Sequence, residues 1–122
     1  MDFLDTSGQR KMATELIGEV DEVANLLRAI ANEKRLIILC HLLNGEKSVG
    51  EMERLLDLSQ SALSQHLARL RSVRIVKTRR VAQTIFYSLN GQTAEAMLLA
   101  LYELFGSSDG ENGVDHHRSS AA

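Results

Sequence analysis

One side of a helix predicted between Ser59 and Arg71 carries mostly glutamine and serine. Its apolar residues, Leu63, Leu67 and Leu70, recur at helical spacing and form an inward stripe. Base edges in the DNA major groove require groups that donate and accept hydrogen bonds, and glutamine can pair bidentately with adenine. We call this segment the reading helix, because the pattern predicts that it reads base edges. Its outward side presents small, uncharged side chains: Gln60, Ser61, Ser64, Gln65 and Ala68.

Basic residues are concentrated at the end of the reading helix and in the segment that follows it in the sequence. No acidic residue occurs between Asp57 and Glu95, although the whole chain has a formal net charge of −2. An ordinary surface mixes both signs of charge, so this window favours a nucleic-acid surface over a merely solvated one. We expect the following residues to contact the DNA backbone or to lie on the wing that contacts it: Ser59, Arg69, Arg71, Arg74, Lys77, Arg79, Arg80 and Gln83.

A β-hairpin is predicted directly after the reading helix. The segment from Thr84 to Leu89 is β-branched and aromatic, and Ile85, Tyr87 and Leu89 alternate onto one face. Its partner strand runs from Ile75 to Arg80 and places its arginines near an exposed tip, Val81-Ala82-Gln83. We call residues 75–89 the wing. Arginine on a wing can enter a neighbouring minor groove, where the negative potential favours it.

The remaining elements are predicted to be helices that support this pair. An apolar stripe from Met12 to Ala31 predicts one amphipathic helix. Asn32 is predicted to cap a second helix that ends at Asn44-Gly45. Ser48 is predicted to cap a short third helix, with Glu51 completing a capping box. Two short helices joined by a tight turn, the second polar on one face, are typical of a helix-turn-helix.

The last predicted helix, which starts near Thr93, is apolar on every side between Ala96 and Tyr102. A helix of this kind must be buried on every side, and a domain this small needs a partner chain to bury it. With 122 residues and 44% hydrophobic residues, the chain is predicted to form one domain over residues 11–106. Residues 1–10 and 107–122 are predicted to be disordered tails.

No apolar run approaches the roughly 20 residues that a membrane helix needs, and the acidic start does not resemble a signal peptide. The sequence therefore predicts a cytoplasmic, nucleoid-associated protein with no membrane partner. The single cysteine, Cys40, excludes an intrachain disulfide. No nucleophile with an adjacent base and no phosphate-binding glycine loop occurs, so an enzyme is not expected.

Three segments resemble the ArsR/SmtB family of bacterial repressors: Ala29–Leu39, Leu58–Leu70 and Thr78–Tyr87. The likeness extends over roughly residues 12–106 and is strongest to the branch of nodulation, haemolysin and biofilm regulators (NolR, HlyU and BigR types). It implies a homodimer that binds an imperfect inverted repeat in promoters. It also implies base contacts from Gln60, Ser61, Ser64 and Gln65 and wing contacts from Arg79 and Arg80.

The resemblance further implies that the first and last predicted helices form the dimer interface. One departure from the family is Arg74, where relatives usually carry glycine, so Arg74 is expected to adopt a strained positive φ. The interface residues expected from the resemblance are Leu16, Val20, Val23, Leu27, Met97, Leu98, Leu101, Tyr102 and Phe105.

Residues that could sense a signal are few. Metal-binding relatives use a Cys-x-Cys pair in the third helix or Asp and His in the last, and this chain has neither, so no metal and no cofactor are expected. Asp115, His116 and His117 are assigned to the disordered tail, and His41 and His66 to packing or capping roles. Cys40, among apolar neighbours, is expected to be a small core residue rather than a redox sensor.

The sequence thus predicts a mainly helical α+β fold, a winged helix-turn-helix with the order α-α-α-α-β-β-α. Its predicted function is that of a homodimeric repressor that binds a promoter operator constitutively. Two alternatives remain open at this point. One is a thiol-responsive repressor switched at Cys40, and the other is a winged helix used as a protein-interaction module.

Overall fold

The computed structural model describes residues 6–106 and confirms a mainly helical winged fold. Within these residues the chain forms six α-helices and a three-stranded antiparallel sheet, and a π-helical turn, Tyr102–Gly106, ends the last helix. The elements are α1 (Thr6–Gly18), α2 (Val20–Ile30), α3 (Glu33–Leu43), β1 (Lys47–Ser48), α4 (Val49–Leu55), α5 (Gln60–Ser72), β2 (Val76–Val81), β3 (Thr84–Leu89) and α6 (Gln92–Leu101).

Local capping signals fix the helix starts where the sequence predicted them. The Asn32 side chain accepts a hydrogen bond from the Arg35 amide at the start of α3. Ser48 and Glu51 form the predicted capping box of α4, and the Ser59 hydroxyl accepts from the Ala62 amide at the start of α5. Each cap satisfies an amide that the helix itself leaves without an acceptor. The reading helix is therefore α5.

The predicted first helix is two helices, and this part of the prediction was wrong. α1 ends at Gly18 and α2 starts at Val20, with Glu19 outside helical geometry at φ −109° and ψ 12°. Glycine costs about 1 kcal/mol in a helix interior, which makes Gly18 the natural breaking point. α1 also begins at Thr6, so residues 6–10 are helical where a disordered tail was predicted. Residues 1–5 and 107–122, which contain the rest of the predicted tails, lie outside the described residues.

The core joins the reading helix to α3, α4 and the base of the wing. Leu63, Leu67 and Leu70 of α5 are at most 1% exposed, which confirms their predicted inward stripe. They pack in one cluster with residues of α3, α4, the wing and α6, including Ile38, Leu39, Met52, Ile75, Val76 and Tyr87. The reading helix thus has one side anchored in the core, and its opposite side is held outward.

The sheet has the order β1-β3-β2, so the wing carries a short third strand that the sequence did not predict. β1 has only two residues, with Lys47 opposite Tyr87 and Ser48 opposite Phe86. In β2, Arg79 lies opposite Phe86 and Arg80 lies opposite Ile85. Residues directly opposite one another share a face of the sheet, so Arg79 and Arg80 lie on opposite faces of the wing.

α6 faces the core along one side only. Ala94 and Leu98 are buried within the chain, whereas Leu99, Tyr102 and Phe105 are each more than half exposed. Leu98 was also predicted to belong to the dimer interface, but its side chain is buried in the chain's own core and leaves little surface for a partner. The exposed Leu99 on the next position of the helix takes its place among the candidates.

Arg74 has a φ of 62°, as its replacement of the family's glycine predicted. An L-residue loses roughly 1–2 kcal/mol in this left-handed region, while glycine does not. The Arg74 carbonyl accepts a hydrogen bond from the Asn90 side chain at 2.9 Å, which ties the base of the wing to the turn after the reading helix. That bond uses the backbone and does not depend on the arginine side chain.

We therefore expect Arg74→Gly to stabilise the fold by about 0.5–1 kcal/mol, because glycine relieves the strain but adds freedom to the unfolded chain. Urea unfolding measures the change. The matched control is Arg71→Gly, at an exposed arginine in the last turn of α5, which is expected to lower stability by up to about 1 kcal/mol. Equal losses for both variants would show that the Arg74 turn carries no relievable strain.

Candidate nucleic-acid interface

The outward side of the reading helix is open to solvent and borders a broad groove. Gln60, Ser61, Ser64 and Gln65 are all exposed, as a base-reading face requires. A groove of about 630 Å³ runs between α5, the start of α4 and the wing. Gln60, Ser64, Ala68 and Arg71 line its helix side, and Gln83, Thr84 and Ile85 line its wing side.

Ser61 and Gln65 do not line this groove but lie farther round the exposed side of the helix. Each residue turns the helix by about 100°, so the two sets lie on adjacent strips of one exposed face. The predicted base-reading residues therefore share one exposed surface. Gln60 and Ser64 lie on its side toward the wing (the wing flank), and Ser61 and Gln65 lie on the adjacent strip (the apex). The side chains of Ser64 and Ala68 are small, so the wall of a DNA major groove can approach the helix axis closely.

Arg80 lies on the helix-facing side of the wing. Its cross-strand partner Ile85 lines the groove, and directly paired residues share a face. The Arg80 Nε donates to the Ala82 carbonyl at 3.3 Å, so the side chain lies along the tip of the hairpin. Arg71 thus lines the groove, and Arg80 lies on the face of the wing that borders it.

Arg79 lies on the outer face of the wing and is held by an acidic residue from outside the predicted acid-free window. Its Nε and Nη2 atoms donate to the Glu46 carboxylate at 2.9 and 2.7 Å. Its guanidinium carbon lies 4.9 Å from the centroid of the Phe86 ring. The hydrogen bond from Arg79 lowers the pKa of Glu46, which keeps this carboxylate charged. Arg79, which was predicted to contact DNA from the wing, is thus already paired within the chain.

Two other arginines of the basic window face α2 instead of the groove. Arg69 donates to the Asn25 side chain of α2 and to Ser72, both at 3.2 Å. Arg74 lines a second depression of about 440 Å³, which also includes Glu22 and Asn25. Lys77 shares the outer face of the wing with Arg79, because it lies two residues before Arg79 in the same strand. The basic residues predicted to act together are therefore divided among the groove side, the outer wing face and the α2 side.

A polar contact on the inner flank of the reading helix was not predicted. The Arg35 Nη1 lies 3.3 Å from the Nδ1 of His66, and its Nε donates to the Ala29 carbonyl at the end of α2. Burial, followed by the positive charges of Arg35 and Lys34, lowers the pKa of His66. A neutral His66 can accept the Arg35 hydrogen bond, so this half-buried pair joins the reading helix to the corner between α2 and α3.

This contact makes stability depend on pH. Because the folded-state pKa of His66 lies below its unfolded value of 6.5, the folded state resists protonation. The contribution is complete above pH 6.5 and is lost as the pH falls through the depressed folded value. We expect the urea midpoint of the wild type to fall between pH 7.5 and 5.0 by more than that of His66→Gln, which retains an acceptor but does not titrate. Parallel losses in both proteins would contradict this assignment.

A second surface is apolar and exposed. Val20 and Leu27 of α2 and Leu16 of α1 are each more than half exposed, and Val23 is half-buried. At the other end of the chain Met97 and Leu101 are half-buried, while Leu99, Tyr102 and Phe105 are exposed. An exposed set of this size is unusual for a monomer and is typical of a protein-protein contact.

Cys40 is exposed, so its prediction as a core residue was wrong. The buried stripe of α3 consists of Ile38, Leu39 and Leu42, and Cys40 lies to one side of it. Partial burial by the surrounding protein nevertheless raises the pKa of the Cys40 thiol. A raised pKa reduces the thiolate fraction, and the thiolate is the form that reacts with oxidants.

Within residues 6–106 no group of three or more His, Cys, Asp or Glu side chains is arranged to hold a metal ion. The tail residues Asp115, His116 and His117 lie outside the described residues. In the same part of the chain, no helix has the length and apolar character that crossing a bilayer requires.

Comparison with known proteins reveals close sequence relatives. Residues 32–78 match the family described as bacterial regulatory protein, arsR family. The chain is 56% identical over 80 residues to the transcriptional activator HlyU of Vibrio cholerae, a match that covers 66% of this chain and 74% of HlyU. The family match over residues 32–78 includes the reading helix and the capped starts of α3, α4 and α5.

Solved structures share the fold. The transcriptional repressor BigR from Xylella fastidiosa superposes with a TM-score of 0.70 at 41% identity, covering 76% of this chain and 95% of BigR. The homodimeric winged helix-turn-helix DNA-binding domain Mb0332 from Mycobacterium bovis superposes with a TM-score of 0.68 at 27% identity, covering 84% and 93%. Both similarities extend over most of the residues that the structure describes.

Proposed function

The chain belongs to the ArsR family of bacterial regulatory proteins, and on this premise we propose that it is a homodimeric repressor that binds an inverted-repeat operator. It is a transcriptional regulator with a DNA-binding winged helix-turn-helix. The observation that supports the finer proposal most strongly is the exposed, uncharged face of the reading helix beside a groove that Arg71 lines, with Arg80 paired opposite the groove residue Ile85.

Base recognition is assigned to the reading helix. Gln60 and Ser64 on the groove flank and Ser61 and Gln65 on the apex offer donors and acceptors to base edges in the major groove. Arg71 and Arg80 are suited to phosphate contacts, which position the protein without reading sequence. Ser59 and Gln83 are exposed beside this surface, and Lys77 is exposed on the outer face of the wing; further backbone contacts are expected from all three.

The dimer is assigned to the exposed apolar surface of α1, α2 and α6. The expected members are Leu16, Val20, Val23, Leu27, Met97, Leu99, Leu101, Tyr102 and Phe105. Two-fold symmetry would set the two reading helices about 34 Å apart, one turn of DNA, so each enters the major groove on the same side. Repression would then follow because the bound dimer occludes RNA polymerase. HlyU is named an activator and BigR a repressor, so the family includes both outcomes.

Selection of bound genomic fragments by the purified chain tests the proposal. We expect enrichment of one imperfect inverted repeat, bound with an affinity that falls steeply with salt. A protein-interaction module would enrich no sequence. Reporter expression from the enriched promoter, with and without the protein, then distinguishes repression from activation.

The same assay separates constitutive binding from thiol control. The wild type and Cys40→Ser are compared with and without a mild oxidant. The raised pKa of Cys40 makes its thiol less reactive toward oxidants. We therefore expect the oxidant to leave the DNA affinity of both proteins unchanged. Loss of binding in the oxidised wild type alone would instead establish Cys40 as a switch.

A further inference from the structure

The contact between Glu46 and Arg79 crosses the wing from one edge to the other. Glu46 directly precedes β1, the strand at one edge of the sheet, and Arg79 belongs to β2 at the other edge. Phe86 lies on the central strand between them, opposite both Arg79 and Ser48. The arginine therefore extends across the middle strand, over the aromatic ring, to reach the carboxylate.

The guanidinium group of Arg79 is restrained in two ways. Two nearly parallel hydrogen bonds to one carboxylate fix the plane of a guanidinium group, and contact with an aromatic face adds to that restraint. β1 has only two residues, so the loop before α4 has few backbone bonds to the wing. The Glu46–Arg79 pair supplies a second connection between that loop and the outer strand.

The pleat of the strand gives the neighbouring arginine a different environment. Arg80 lies on the groove side and Arg79 on the outer side, away from the reading helix. The central strand β3 packs against the core, but apart from Val76 at its base the outer strand β2 is exposed along its length and has little core packing of its own. A restraint on its outer face can therefore change where Arg80 and the tip point.

We propose that Arg79 is a positioning residue, clamped by Glu46 across Phe86, and that it holds the wing at the angle from which Arg80 contacts DNA. This inference rests on the proposed function, since it assigns separate roles to two arginines of the same DNA-binding surface. It names Glu46, an acidic residue outside the reading helix and the wing, as a determinant of operator affinity.

The test measures operator affinity over a range of salt concentrations for the full chain. Arg80→Gln is expected to flatten the salt dependence by about two ions per dimer, one for each lost phosphate contact. Arg79→Gln is expected to weaken binding by up to about 30-fold, the worth of two well-formed surface ion pairs, one in each subunit, with no change in slope. Glu46→Gln is expected to match it, and the double variant should bind no more weakly than either single variant.

A charge control and a charge swap complete the design. Glu53→Gln removes a carboxylate that lines the groove and corrects for the general effect of neutralising an acid near DNA. Arg79→Glu alone is expected to weaken binding, and addition of Glu46→Arg is expected to recover most of the loss, because the swapped pair can again bridge the wing. A DNA ligand at position 79 could not be replaced by a carboxylate.

Three results would overturn the inference. The first is a salt dependence that flattens in Arg79→Gln as much as in Arg80→Gln, and the second is a gain in affinity in Glu46→Gln that exceeds the gain in Glu53→Gln. The third is an Arg79→Gln protein that binds the operator as tightly as the wild type. The first two would make Arg79 a DNA ligand that Glu46 covers. Absence of DNA binding by the wild type would instead reject the proposed function itself.

Discussion

Leu16→Glu is expected to convert the protein into a folded monomer that binds its operator at least about 100-fold more weakly. Leu16 is 56% exposed in the single chain, so a glutamate there is hydrated and does not disturb the fold. In the proposed interface the same carboxylate would be buried without a partner, which is strongly unfavourable. A dimer that engages two half-sites gains at least about 100-fold from the second contact, and a monomer loses that gain.

Sedimentation velocity measures the association state, circular dichroism the fold, and a gel shift the affinity. Thr14→Glu is the matched control, because Thr14 lies on the opposite side of α1 and its substitution adds the same charge. The control is expected to remain dimeric. A Leu16→Glu protein that sediments as a dimer would place the interface elsewhere.

The second large effect is expected for Ser64→Glu, which should abolish operator binding while the dimer and its stability are retained. Ser64 is exposed and lines the groove on the wing flank of the reading helix. A carboxylate at that position would be dehydrated against base edges and repelled by phosphates at both half-sites. Each unpaired buried charge costs about 3–5 kcal/mol, so a loss of more than about 100-fold is expected.

Fluorescence anisotropy with a labelled operator measures the loss, and thermal unfolding checks the fold. Thr93→Glu adds the same charge at the exposed start of α6, outside the groove, and is expected to bind within a fewfold of the wild type. Operator binding by Ser64→Glu close to that of the wild type would remove the reading helix from the DNA contact.

The sequence predicted the features that depend on nearby residues. Helix caps at Asn32, Ser48 and Ser59 act over three residues, so their geometry follows from the local sequence. The positive φ of Arg74 was predicted because relatives carry glycine there. The alternation of Ile85, Tyr87 and Leu89 likewise predicted the strand that packs the wing against the core.

Features that depend on tertiary packing were missed. Glu46 lies 33 residues before Arg79 in the sequence, so an acid-free window in the sequence did not imply an acid-free surface. Leu98 and Leu99 are equally apolar, and only the packing of α6 decides which of them faces the core. Cys40 has apolar neighbours along the chain, yet its place on α3 turns it away from the buried stripe.

The central claim is that the reading helix contacts bases while arginines contact phosphates. It is tested by comparing Gln60→Ala with Arg71→Ala. The affinity of each variant is measured for the selected operator and for a scrambled sequence over a range of salt concentrations. Gln60→Ala should weaken operator binding by about 1–3 kcal/mol and leave the scrambled DNA unaffected, because a base contact carries sequence information. Arg71→Ala should weaken both DNAs alike and flatten the salt dependence. Equal weakening of both sequences by Gln60→Ala would contradict the assignment of Gln60 as a base-reading residue.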